Sequence, residues 1–245
     1  MTPAWSVLGE SVAGTSHRAQ AVPCQDAFRV RPFGPDAAWL AVAVADGAGS
    51  ATHAEAGANL TCDELVRRVA LVSPESLLTA DGMTELFRAV REAVLAEAER
   101  LGVAGRELAC TALLAVVGPA TAAFAQVGDG AIVAGDRVVF WPEPAEYANA
   151  TDFLSDDDFP ARLRFETTDG PTDEVAVTTD GLQRLALDFA ARTPHAAFFR
   201  PLFDALKSAT DPEALVEPLR TFLESPRVSA RTDDDKTLVI AARQR

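Results

Sequence analysis

The chain has 245 residues, 48% of them apolar and 24% charged, which is the composition of a folded globular protein and not of a disordered one. Its 36 acidic against 22 basic side chains give a net charge of −14, which repels phosphate polyanions and makes nucleic acid and anionic membrane poor partners. Three cysteines (Cys24, Cys62, Cys110) and three histidines (His17, His53, His195) show neither a disulfide framework nor zinc-ligand spacing.

No basic stretch followed by an apolar one opens the chain, and no apolar run approaches the roughly 18 residues of a membrane span. A cytoplasmic protein with one domain over 1–245 is the expectation. Trp5 to Ser11 alternates weakly as a first strand, and glycine, serine and proline break the pattern from Gly14 to Pro23. Asp26 leads into Ala27-Phe28-Arg29-Val30, another strand. Ala38 to Ala45 is a short apolar run that reads as a buried strand ending at Asp46-Gly47. Leu60, Leu65, Val66 and Val69 follow at helical spacing. Met83 to Leu101 is a second helix, closed by Gly102 and Gly105.

From Ala109 the period shortens. Ala112–Val117, Thr121–Val127, Ala131–Ala134 and Val138–Trp141 read as an antiparallel meander with turns at Gly118-Pro119, Asp129-Gly130 and Gly135-Asp136. Residues 142–171 hold prolines and the acidic run Asp156–Asp158 with little periodicity, a long loop of the kind that carries function. Glu174 to Thr179 is a strand running into Asp180-Gly181-Leu182 and a helix. Helical segments over His195–Ser208 and Pro212–Leu223 precede a last strand, Thr237–Ala242. Strands and helices in this order predict α+β.

Asp46 and Asp180 each end an apolar strand, precede glycine and lead toward a helix. Asp234 lies just before the last strand, Asp26 opens one and Asp129 ends one. Carboxylates gathered at strand ends demand a cation, and hard oxygen ligands select magnesium or manganese. Asp129-Gly130 fits a hairpin turn equally well, and Asp156–Asp158 fit a solvated loop.

The ordered series Cys24-Gln25-Asp26, Val44-Ala45-Asp46-Gly47-Ala48-Gly49-Ser50, Ala109-Cys110-Thr111, Val127-Gly128-Asp129, Thr179-Asp180-Gly181-Leu182 and Asp234-Asp235-Lys236-Thr237 resembles the motif set of the PP2C family of metal-dependent serine/threonine phosphatases. Gly14-Thr15-Ser16-His17, Glu146 to Thr151 and Arg231 to Thr237 resemble a stand-alone, atypical bacterial subgroup. The resemblance implies a four-layer α/β/β/α sandwich of two antiparallel sheets flanked by helices, with a variable flap at 142–171. It implies two Mn2+ or Mg2+ ions and a weaker third. Asp46 would bridge the two ions and the Gly47 carbonyl would bind one of them. Asp180 and Asp234 would complete the other, Asp26 would act through water, and Asp129 would join Asp180 at the third. The implied chemistry is attack of a metal-bridging hydroxide on phosphoserine or phosphothreonine of proteins. The implied counterpart is a Ser/Thr kinase.

Several positions depart from the family pattern. Gln25 stands where an acid is common, Ala48 stands where some members place a proton-donating histidine, and Gly130-Ala131 replace Ser-Arg. The position of the phosphate-binding arginine is Ala21, which leaves Arg18 and His17 as candidates to hold phosphate. His17 and His53 are also candidate proton donors, and an ordinary loop or core role stays open to both. A catalytically silent module that binds a phosphoprotein or kinase is the alternative; retention of Asp46, Asp180 and Asp234 together argues against it. Cys62 and Arg68 match a cysteine-phosphatase spacing, yet the residues between them lack glycine and look helical. Asp233-Asp234-Asp235-Lys236-Thr237 matches a D-x-D-x-T phosphatase motif, yet the strand follows it where that chemistry needs the strand to precede.

Overall fold

The computed structural model describes residues 5–142 and 151–243. Its elements run β1 (Trp5–Val12), α1 (Thr15–Gln20), β2 (Asp26–Phe33), β3 (Trp39–Asp46), α2 (Ala54–Val69), α3 (Ala80–Leu101), β4 (Ala112–Val117), β5 (Thr121–Val127), β6 (Ala131–Ala134) and β7 (Arg137–Val138). They continue with α4 (Phe159–Arg162), β8 (Arg164–Asp169), β9 (Glu174–Thr178), α5 (Gln183–Ala186), β10 (Leu187–Asp188), β11 (Thr193–Pro194), α6 (Ala196–Ser208), α7 (Val216–Leu223), α8 (Pro226–Ser229) and β12 (Lys236–Arg243).

Two five-stranded antiparallel sheets, ordered β1-β12-β9-β6-β7 and β2-β3-β4-β5-β8, stack face to face. Strand parity builds the layers. Along β3, Trp39, Ala41, Ala43 and Ala45 face α2 and α3, while Leu40, Val42 and Val44 meet Val175, Val177 and Val239 of the other sheet. The outer face of that other sheet is covered by Phe198, Phe199 and Phe203 of α6 and Leu219 of α7. Each large apolar side chain buried in these layers contributes about 1.5–3 kcal/mol. The small alanines of β3 let α2 lie close, and the helix end is closed tightly: a Cβ on Gly57 would stand 2.2 Å from the Leu108 carbonyl oxygen. The fold is the expected α+β sandwich of four layers.

The expected meander is corrected. β4 and β5 form a hairpin, but β6 leaves for the other sheet and pairs with β9. Asp129-Gly130 therefore crosses between sheets and is not a hairpin turn. Gln126 fixes the crossover, its amide donating to the Gly128 and Gly130 carbonyls at 3.0 and 2.7 Å.

The expected irregular segment 142–171 is corrected as well. Residues 164–169 form β8, paired with β5 along its length. Leu154 and Phe159 are buried against α3. Arg91 of α3 donates to the Ser155 and Asp156 carbonyls at 3.1 Å, so the acidic run is clamped although Asp157 itself is fully exposed. Residues 143–150, with most of the subgroup-like Glu146 to Thr151 stretch, lie outside the described residues. Among the described residues no helix is long and apolar enough to cross a membrane.

Candidate active site

Parity also selects what enters the gap between the sheets at their ends. Asp46 is the next even position after Leu40, Val42 and Val44, and Asp26 stands opposite it in the β2–β3 register. On the facing sheet the gap is lined by Val175 and Val177 of β9 and by Val239 and Ala241 of β12. The odd positions next to these strand runs, Thr179 and Thr237, therefore face Asp26. Both hydroxyls donate to Asp26 Oδ2 at 2.8 Å, and Ser11 Oγ supports Thr237 at 2.7 Å.

Asp46 is held through its backbone. Its N–H donates to Thr111 Oγ1 at 2.9 Å and its carbonyl accepts from the Thr111 N–H at 2.8 Å. Gly47 follows because a Cβ there would press on the Ala54 and Gln25 carbonyl oxygens at 2.8 Å. Gly181 has the same reason, since its Cβ would stand 1.9 Å from the Asp235 carbonyl oxygen. Asp180 thus starts a turn packed against the segment that carries Asp234. Asp129 sits at the crossover, where Oδ2 accepts from Thr151 Oγ1 at 2.8 Å and its carbonyl accepts from the Gln183 amide.

Asp46, Asp129, Asp180 and Asp234 line one cavity of about 190 Å3, together with Gly47, His17 and Asp235. Asp26 lies behind that wall, buried. Burial pushes Asp46 well above the ordinary carboxylate range, and the charges of Asp26 and Asp180 push it further. Burial raises Asp26 to about 7 against the two threonine hydrogen bonds, and it raises Asp180 to about 6 with help from Asp129. Asp234 is raised by burial too. Asp26 Oδ1, Asp180 Oδ1 and Gln25 Oε1 are buried without a hydrogen-bond donor. Each such orphan costs about 1–3 kcal/mol.

An all-oxygen donor set with buried, donorless carboxylate oxygens fits magnesium or manganese. Among the described residues no three acidic, histidine or cysteine side chains close on one point as a ready-made cage.

Of the two expected phosphate ligands, His17 lines the cavity and Arg18 does not. The Arg18 guanidinium is bound to the Ala13 carbonyl at 2.9 and 2.7 Å and paired with Glu224. His53 stands at the start of α2, outside the lining. Sequence reasoning missed Asp235. Its Oδ1 accepts from the Gly14 N–H at 2.7 Å, and Oδ2 accepts from the Gln25 N–H at 2.6 Å and binds His17 Nδ1 at 2.9 Å. One buried carboxylate thereby ties together the entry to α1, which carries His17, and the residue before β2, which opens with Asp26. The run of three aspartates, Asp233-Asp234-Asp235, immediately before β12 was the sequence signal for it. Thr179 and Thr237 carried a better one, since strand parity alone turns them into the gap.

The family model for protein phosphatase 2C matches residues 13–224. The chain is 38% identical to Serine/threonine-protein phosphatase 3 of Escherichia coli (strain K12), over 97% of this chain and 98% of that protein. Its fold is similar to that of the serine/threonine phosphatase Stp1 from Staphylococcus aureus, with a TM-score of 0.67, 15% identity, and coverage of 100% of this chain and 97% of that one. RsbX in complex with magnesium shares the fold at a TM-score of 0.55 and 17% identity, covering 98% of this chain and 96% of that one. With the ordered motifs, the sandwich and the carboxylate cavity in agreement, the chain belongs to the protein phosphatase 2C family.

Proposed function

We propose that this protein removes phosphate from phosphoserine and phosphothreonine of proteins, in the cytoplasm and opposite a Ser/Thr kinase. The observation that carries the reading is the cavity walled by Asp46, Asp129, Asp180 and Asp234, with donorless oxygens on Asp180 and on Asp26 behind it. Asp46, the Gly47 carbonyl, Asp180 and Asp234 would hold two manganese or magnesium ions. Asp26 would act from behind, and Asp129 with Asp180 would hold a weaker third. Such cations supply Lewis acidity, polarising a phosphate oxygen and lowering the pKa of water. The identity with the Escherichia coli phosphatase and the magnesium in RsbX support both parts of the reading.

The protein's own groups orient and protonate. Asp235 fixes His17 through Nδ1, which leaves Nε2 to donate a proton to the departing serine or threonine oxygen. A para-nitrophenolate leaves without that help, whereas an alkoxide does not. Thr151 and Phe153, within the 142–171 flap segment, border the cavity and shape access to it. The whole chain, 1–245, acts as one phosphatase domain.

The test is hydrolysis of para-nitrophenyl phosphate and of a phosphothreonine peptide, with manganese and with EDTA. Activity on both substrates that chelation abolishes is expected. Full activity in chelator sinks the reading. His17→Gln should lose far more on the peptide than on the aryl ester, and equal losses would remove His17 from proton transfer.

A further inference from the structure

A second cavity, of about 320 Å3, shares Asp180 and Asp234 with the first as a common wall. Its remaining lining includes Arg184, Arg231 and Asp233. Arg184 lies in α5, on the turn that Asp180 opens; Arg231 lies three positions before Asp234. Both are exposed.

Arginines in this acidic chain generally find carboxylates. Arg18 pairs with Glu224, Arg29 with Asp63, Arg91 with Asp157 and Arg220 with Glu10. Among the described residues neither Arg184 nor Arg231 has a side-chain hydrogen bond or an ion pair. Two guanidiniums without acidic partners thus stand on one cavity, in a chain of net charge −14, beside the carboxylates of Asp180, Asp233 and Asp234. Asp180 and Asp234 belong to the wall shared with the first cavity, which leaves Asp233 as the one carboxylate of this lining outside that wall.

We propose that Arg184 and Arg231 form an anion subsite that takes an acidic side chain of the phosphoprotein substrate, a carboxylate or a second phosphate, close in sequence to the residue being dephosphorylated. The proposal rests on the phosphatase reading of the adjoining cavity. Guanidinium forks suit carboxylate and phosphate alike, since both accept two parallel N–H donors. Two extended residues span about 7 Å, comparable with the edge of a cube of 320 Å3. The acid therefore sits about two residues from the phosphorylated one. Because both arginines are carried by the segments that position Asp180 and Asp234, an acid docked on them sets the register of the peptide over the catalytic carboxylates.

The experiment compares phosphothreonine peptides that are neutral, that carry Glu two residues before or after the phosphothreonine, or that carry phosphoserine there. The corresponding fluorescent peptides, without phosphate on the threonine, are followed by anisotropy in manganese buffer. Native protein is expected to favour one acidic register about tenfold in kcat/KM and to bind its fluorescent counterpart more tightly than the neutral one. Comparing the Glu and phosphoserine peptides identifies which anion the subsite prefers. Arg184→Ala/Arg231→Ala should bring both ratios to about one. Arg184→Glu/Arg231→Glu should favour Lys-flanked peptides instead, a gain that misfolding cannot produce. Equal handling of neutral and acidic peptides by the native protein overturns the subsite, as does an acidic preference that survives in the double alanine variant. A binding preference lost in that variant, in a protein that hydrolyses no phosphoester, upholds the subsite and overturns the phosphatase reading alone.

Discussion

Thr237 Oγ1, on one sheet, donates a 2.8 Å hydrogen bond to Asp26 Oδ2, on the other. With Thr179 it occupies one oxygen of a buried carboxylate and leaves Oδ1 without a donor. Thr237→Val keeps the shape, removes one of these two donors and strands Ser11. A loss of about 1–2 kcal/mol is expected, seen as a fall of a few degrees in Tm, with a higher metal concentration for half-maximal activity. An unchanged Tm and metal titration would mean that Asp26 is positioned by its strand alone.

The aspartates should rank by their place in the cavity. Asp46→Asn, Asp180→Asn and Asp234→Asn should each cost more than the roughly 10–100-fold that outer partners of a metal site cost, with Asp46 worst. Asp157→Asn should keep activity within about twofold, because its pair with Arg91 is open to solvent at the carboxylate. Measured kcat/KM on one phosphopeptide decides the order; an essential Asp157 beside a dispensable Asp180 would move the site.

Chelated protein should lose stability as pH rises. Asp26, raised to about 7, still holds a proton between about pH 4 and pH 7, where the unfolded chain has released its own. The folded state binds more protons across that window, so each step upward in pH favours unfolding. A Tm fall on the order of 5 °C from about pH 5 to pH 8 is expected in EDTA. Manganese should abolish it by replacing the proton. A Tm in EDTA that climbs across the same range contradicts a buried Asp26 that holds its proton in the folded state.

Gln25→Glu should lower the manganese concentration for half-maximal activity and leave the maximal rate in place. Gln25 Oε1 is buried without a donor, and its backbone N–H is fixed on Asp235 at 2.6 Å. A full negative charge in place of an amide dipole strengthens attraction to a nearby divalent ion even at an effective dielectric of about 20. Parallel metal titrations check it; equal or greater metal demand in the Glu variant would place Gln25 outside the ions' reach.

Much of the architecture was legible in the chain. The alternation of β3 determined that Asp46 would continue its even face, and the apolar runs before Asp46 and Asp180 placed both carboxylates at strand ends. The order of the motifs determined the family. Period and composition report on local structure and on which face a residue joins, and those properties need no partner. The tertiary structure decided what depends on residues far apart in sequence. The Asp129 crossover, read locally as a hairpin, was settled by β6 pairing with β9. The apparent loop at 164–169 became β8 only because β5 offered an open edge. Arg18 was drawn off by the Ala13 carbonyl and Glu224, and Asp235 became the clamp on Gly14, His17 and Gln25. Hydrogen bonds and ion pairs across some two hundred residues leave no periodic trace in sequence, because only the packed sheets bring their partners within reach.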